Sequence, residues 1–169
     1  LLFARQSPGE QKEVQLNAVV AEALALFEHR LQRSVIELVT KLDPGLPVLT
    51  GDPGQLMQVL VNVITNAIQA MEGGGRLPVR TRVTDGQLEC EVEDTGTGMS
   101  KDVLARIFVP FFTTKDVDQG TGLGLPVAHG IVTAHQGTIA VRSAPGRGAT
   151  FTIRLPLQPA DTSQGRAAP

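Results

Sequence analysis

Asp52-Pro53-Gly54-Gln55-Leu56-Met57-Gln58-Val59-Leu60-Val61-Asn62-Val63-Ile64-Thr65-Asn66-Ala67-Ile68-Gln69-Ala70-Met71 carries two periodicities at once. Leu56, Val59, Leu60, Val63, Ile64, Ala67 and Met71 recur in steps of three and four, the spacing of one buried helix face. Asp52 supplies the N-cap and Pro53 occupies the first helical position, where a missing N–H costs little. Gly73-Gly74-Gly75 then ends the helix. Gln55, Gln58, Asn62, Asn66 and Gln69 form a second stripe, kept narrow by the turn of about 100° per residue. Taken alone, such a stripe reads as a solvated helix face or as the lining of a cavity. A solvated face normally carries Lys and Glu, and this one has neither. Asn62 and Asn66 lie one turn apart and point the same way. Their amide oxygens are neutral, hard ligands of the kind that suit Mg²⁺.

Outward from this helix the pattern turns to strands. Two are expected over 77–84 and 87–93, joined at Asp85-Gly86, a hairpin turn signal. Ser100 caps a short helix to Ile107, and a long loop follows from Phe108 to Gly122. A helix is expected over 123–135, then strands over 138–143 and 150–155 around Pro145-Gly146. On the N-terminal side, 14–16 reads as a short strand. Asn17 reads as the cap of a helix to about residue 32, and 35–42 as a strand. The order of elements is mixed rather than strictly βαβ, which predicts an α+β sandwich.

The 169 residues suffice for one domain with a real core. A net charge of -2 argues against a dedicated nucleic-acid binder. One cysteine excludes an internal disulfide framework and an all-Cys zinc site. No run of about 18 apolar residues and no signal peptide is visible. The tail after Leu157 is rich in Pro, Ala, Ser and Gly and reads as disordered.

Three further segments carry chemistry. In Leu88-Glu89-Cys90-Glu91-Val92-Glu93-Asp94, strand alternation gives Asp94 the parity of the apolar set and aims it inward. A buried carboxylate needs donors, and an adenine exocyclic amine is a fitting one. Gly96 and Gly98 would let the backbone approach a flat ring, although an Asp ending a strand at a glycine turn is also ordinary turn chemistry. Gly120-Thr121-Gly122-Leu123-Gly124-Leu125 opens a helix, whose free N–H groups suit phosphate oxygens. It matches neither a Walker A loop nor a dinucleotide fingerprint, so by itself it reads equally as a hinge. Ile107-Phe108-Val109-Pro110-Phe111-Phe112-Thr113-Thr114-Lys115 holds three of the six Phe residues. These could anchor a lid, with Lys115 free to reach a phosphate.

The four segments in this order resemble the ATP-binding catalytic domain of sensor histidine kinases, within the GHKL ATPase superfamily. Residues 58–67 look like the N box, 94–99 the G1 box, 107–115 the F box and 120–125 the G2 box. Gly146-Arg147-Gly148 to Pro156 resembles the closing segment. The likeness covers residues 14–157 and implies a Bergerat-type, two-layer α/β sandwich. Its mixed, mostly antiparallel sheet of about five strands would pack on about three helices. By this resemblance Asn66 would ligate Mg²⁺ with Asn62 beside it. Asp94 would bind the adenine amine, and Met99, Ile107 and Phe112 would wall the base. Ala70, Gly96, Gly98 and Thr114 would line the nucleotide site. Gly120, Thr121, Gly122, Leu123, Gly124 and Leu125 would hold phosphates, assisted by Lys115. Where the family often has Gly-Thr this chain has Gly148-Ala149, so a hydroxyl near Asp94 would be either missing or supplied by Thr150. Gln69 is neutral where the family often has a phosphate-contacting base.

The resemblance implies transfer of the γ-phosphate of ATP to a histidine on a separate helical hairpin. His29, His129 and His135 are the only histidines here, and none sits in an acceptor-like motif. The chain opens at Leu1, and residues 1–13 read as the remnant of that dimerisation segment, with 158–169 a disordered tail. The expectation is a cytoplasmic catalytic domain, monomeric alone, from a homodimeric parent that serves a response regulator receiver domain. An ATPase of the same superfamily and a nucleotide-dependent docking module remain alternatives. The ATPases place a Glu where Asn62 sits, and an amide cannot serve as a general base. A neutral imidazole needs less activation than water, so Asn62 favours transfer over hydrolysis.

Overall fold

The computed structural model describes residues 10–114 and 122–157. Along the chain it forms β1 (Lys12–Val14), α1 (Leu16–Leu26), α2 (Glu28–Arg33), β2 (Ile36–Leu42), β3 (Leu49–Gly51) and α3 (Pro53–Gln69). There follow β4 (Gly75–Thr84), β5 (Gln87–Asp94), α4 (Lys101–Leu104), α5 (Gly124–Ala134), β6 (Thr138–Ser143) and β7 (Ala149–Pro156). Five strands make one sheet in the order β2-β4-β5-β7-β6, with only the β2–β4 pair parallel. Helix α3 touches both α1 and α5 and packs on β5. The α+β sandwich with its mixed, mostly antiparallel five-stranded sheet is therefore the fold.

Side-chain parity explains the two faces of the sheet. Leu88, Cys90 and Val92 of β5 are buried with Leu77 and Val79 of β4 and Phe151, Ile153 and Leu155 of β7. They share one core with Leu56, Val59, Leu60, Val63, Ile64 and Ala67 of α3. The opposite face carries charges in cross-strand register. Glu89 lies between Arg82 and Arg154, and Arg80 reaches Glu91 and Glu93. At 0% exposure, Glu89 is covered by the aliphatic stems and guanidinium groups of its partners. Burial alone would push its carboxyl pKa up. The hydrogen bonds from Arg154 and Arg82, together with their charges, instead hold it below the usual carboxylate range.

Several boundaries differ from the sequence reading. The first strand is Lys12–Val14 rather than 14–16, and it pairs antiparallel with the short β3. Three-residue strands have no periodicity to detect, and their pairing is long-range. The expected helix from Asn17 starts earlier, behind Gln15, and breaks at Phe27, where the backbone leaves helical geometry (φ -102°, ψ 1°). Asn17 is not a cap. Its amide donates to the Asp43 carbonyl and its oxygen accepts from the Thr81 hydroxyl, which ties α1 to the sheet. The cap at Asp52 is as expected: its carboxylate accepts from the N–H groups of Gly54 and Gln55. So is the Asp85-Gly86 turn, with φ of 49° and 72°, the backbone of a two-residue hairpin.

Candidate nucleotide site

The polar stripe of α3 faces α5. Asn62 donates its amide N–H to the carbonyl of Gly124, the first residue of α5, at 2.9 Å. An ideal Cβ on Gly124 would lie 3.7 Å from the Asn62 amide, so the two helices meet closely here. Asn66 lies one turn further on and is half-buried. At Asn62 the stripe is thus a helix-facing surface, and at Gln69 it lines a cavity.

At its C-terminal end α3 meets the loop that leaves β5. Thr97 donates to the Ala70 carbonyl at 3.1 Å. A Cβ on Gly96 would fall 2.3 Å from that same oxygen, so only glycine fits. Beside this junction a cavity of about 480 Å³ is lined by residues 69–74 and 95–97.

Asp94 ends β5 at 2% exposure. Its Oδ1 accepts from the Gly96 N–H at 2.9 Å. Its Oδ2 is the buried side-chain oxygen that has no hydrogen-bond partner among the described residues. Burial pushes the carboxyl pKa up, the N–H groups of Gly96 and Ala149 work against this, and Glu93 adds to it. An orphaned buried acceptor of this kind costs stability unless something donates to it.

The loop after Asp94 is docked along the turn between β6 and β7. Gly148 donates to the Gly96 carbonyl at 3.1 Å and Gly146 to the Thr97 carbonyl at 2.7 Å. Gly98 has φ of 68°, and a Cβ there would lie 2.0 Å from the Ala144 carbonyl oxygen. Met99 donates to the Ser143 hydroxyl at 2.8 Å. Met99 packs half-buried against the core, and Ile107 is buried in it.

The structure corrects one expected contact. Thr150 pairs with Glu93, whereas Asp94 pairs with Ala149. By strand alternation the Thr150 side chain shares the charged outer face with Glu93 and points away from Asp94. Phe112 is half-buried and Thr114 exposed. Phe111 donates its N–H to the Gly122 carbonyl at 2.9 Å. Leu123 precedes α5, and Leu125 packs on the core. Lys115, Gly120 and Thr121 lie outside the described residues. Cys90 is no candidate nucleophile, because burial pushes its thiol up to about 12. Ser143 went unread in the sequence. Its signal was the alternation Ile139, Val141, Ser143, which places it on the inward face.

The mixed five-stranded sheet packed with helices, with α3 meeting α5 at Asn62 and the loop after β5 at Ala70, is the fold of an ATP-binding catalytic domain of the GHKL type. Residues 51–159 match the family described as histidine kinase-, DNA gyrase B- and HSP90-like ATPase, and the chain belongs to that family. Within it, the likeness is to sensor histidine kinases. The chain is 40% identical over 160 residues to the signal transduction histidine-protein kinase AtoS of Escherichia coli K12, covering 94% of this chain and 26% of AtoS. The catalytic domain of histidine kinase ThkA superposes with a TM-score of 0.80 at 29% identity, covering 89% of this chain and 99% of that one. Full-length ShkA, solved in complex with AMPPNP, gives 0.78 at 30% identity, covering 88% of this chain and 31% of that one. The chain spans about a quarter to a third of the length of the curated relatives AtoS and ZraS. Among the described residues, no helix is long and apolar enough to cross a membrane.

Proposed function

We propose that this domain binds Mg·ATP between α3, α5 and the loop after β5, and passes the γ-phosphate to a histidine on a phosphoacceptor domain outside this chain. The observation that carries the reading is the buried, unpartnered Oδ2 of Asp94. An adenine exocyclic amine would donate to it, while Gly96 and Gly98 leave room for the ring. Met99, Ile107 and Phe112 would wall the base. Asn66, with Asn62 beside it, would hold Mg²⁺, which supplies charge neutralisation on the phosphate oxygens when bound. The N-terminal amides of α5 at Gly124 and Leu125 favour phosphate there. Gly120, Thr121, Gly122, Leu123, Lys115 and Thr114 complete the phosphate side of the proposal.

In the transfer, the bond from the γ-phosphorus to the ADP oxygen breaks and ADP leaves with the electron pair. A phosphorus–nitrogen bond forms to the imidazole nitrogen that carries the lone pair, and the other ring nitrogen releases its proton to solvent. No group in this chain is asked to act as a base, in keeping with an amide at position 62. The relatives' names support a parent that is a sensor histidine kinase. That parent is proposed to be homodimeric, with its catalytic domain in the cytoplasm and a response regulator receiver domain as its partner. Calorimetry of the chain with ATP and Mg²⁺ tests the pocket, with binding expected in the micromolar to millimolar range. Radiolabelled ATP tests the transfer: an added helical acceptor domain becomes labelled while the chain alone does not. Absence of any adenine nucleotide binding refutes the pocket, and robust self-labelling refutes the external acceptor.

A further inference from the structure

We infer that Ser143, at the end of the edge strand β6, is a positioning residue for the purine pocket. Ser143 and Asp94 both pair with Ala149, from opposite sides. The three residues therefore form one row across β6, β7 and β5 and share the inward face. Ala149 is small and buried, so nothing bulky separates the hydroxyl from the end of β5.

The Ser143 hydroxyl is used in both directions. It accepts from the Met99 N–H at 2.8 Å and donates to the Gly148 carbonyl at 2.6 Å. Met99 closes the loop that begins at Asp94, and Gly148 donates to the Gly96 carbonyl in the middle of it. Ser143 thus holds the loop at its far end and, through Gly148, near its start. Among the described residues, the other hydrogen bonds between residues 95–99 and 143–148 are backbone to backbone, so Ser143 is the side chain that ties these two segments. Two close approaches fix the spacing it must span. A Cβ on Gly98 would lie 2.0 Å from the Ala144 carbonyl oxygen, and one on Gly148 would lie 2.0 Å from that of Asp94.

Loss of the hydroxyl leaves the Met99 N–H and the Gly148 carbonyl without their partner. The loop then gains freedom at Met99 and at Gly96, whose N–H orients Asp94 Oδ1. The consequence falls on purine binding rather than on the chemical step. This inference rests on the proposed adenine site, and the experiment separates the two.

The test compares the wild-type chain with Ser143→Ala and Ser143→Thr. ATP with Mg²⁺ is titrated by calorimetry, amide exchange at Met99 is followed by NMR, and transfer to an added acceptor domain gives KM and kcat. Ser143→Ala is expected to weaken ATP binding about tenfold, the loss of one buried hydrogen bond. It should raise KM with kcat retained and speed Met99 exchange by at least about tenfold. Ser143→Thr keeps the hydroxyl and is expected to restore all three. Unchanged ATP affinity in Ser143→Ala, or equal impairment in Ser143→Thr, overturns the inference. Should Ser143→Ala fail to fold, the other two proteins decide it. A Met99 amide that exchanges in the wild type as fast as an unbonded exposed amide overturns the latch. A wild-type chain that fails to bind ATP overturns the purine reading instead, while the exchange measurement still decides whether Ser143 holds the loop.

Discussion

Asn62 and Gly124, sixty-two residues apart, are joined by a 2.9 Å hydrogen bond from the side-chain amide of one to the backbone carbonyl of the other. This bond brings the amide stripe of α3 against the first turn of α5, where phosphate is proposed to sit. It also sets what position 62 can tolerate. Asn62→Ala removes the donor and is expected to cost about 1 kcal/mol. That corresponds to a fall of about 3 °C in Tm. Asn62→Asp preserves size but turns a carboxylate toward the Gly124 carbonyl oxygen, and its loss should be larger. Thermal denaturation of the two variants in parallel checks the order, and an Asn62→Asp variant as stable as wild type contradicts the contact.

Asp94 is the second place where geometry dictates an outcome. Its folded-state pKa is raised, so the folded form holds a proton that the unfolded chain has already released. The nucleotide-free domain therefore loses stability as pH rises from the ordinary aspartate value through the raised folded one, and the cost persists above it. Asp94→Asn removes the buried charge and should flatten this part of the pH profile, while it weakens adenine binding. Urea midpoints followed upward in pH from the ordinary aspartate value supply the check. An unchanged pH slope in Asp94→Asn would exclude the carboxyl as its source.

Much of this site was legible because its residues repeat. Helix α3 is seventeen residues long, enough for the helical period to separate an apolar face from an amide one. Asp94 was placed inward by the alternation of Leu88, Cys90 and Val92, and its burial follows. What escaped has no period. β1 and β3 are three residues each and exist only as a pair. The break at Phe27 lies within a pattern that stays helical on both sides. Thr150 was assigned by proximity in sequence to Ala149, but one residue along a strand is the opposite face.

The outer face of the sheet gives a prediction of opposite sign. Glu89 is buried between Arg82 and Arg154, and its folded pKa lies below the ordinary value. Its contribution to stability is complete above the ordinary carboxylate pKa and is lost as pH falls through the depressed folded one. Glu89→Gln should lower the urea midpoint at neutral pH and reduce the acid sensitivity of the domain. Both arginines are about half-exposed, so the charges left behind are solvated, and the cost should be about 1–3 kcal/mol rather than that of a fully buried pair. Nucleotide affinity should not change, because this face is turned away from Asp94. A tenfold loss of ATP binding in Glu89→Gln would contradict that separation.

Gly86 and Gly98 have nearly the same backbone, with φ of 72° and 68°, yet different surroundings. Nothing lies within 4 Å of where a Cβ on Gly86 would be, whereas one on Gly98 would lie 2.0 Å from the Ala144 carbonyl oxygen. Gly86→Ala therefore carries only the cost of a left-handed alanine at a hairpin tip, about 1 kcal/mol, with nucleotide binding intact. Gly98→Ala carries the same backbone cost and must also push the loop after Asp94 away from the turn that supports it. It is expected to destabilise the domain by more than Gly86→Ala and to abolish ATP binding at concentrations that saturate the wild type. Melting curves with and without ATP and Mg²⁺ read both effects. The nucleotide-induced rise in Tm should survive in Gly86→Ala and vanish in Gly98→Ala, and equal behaviour of the two variants would show that the close approach of residues 94–99 to 143–148 does not shape the site.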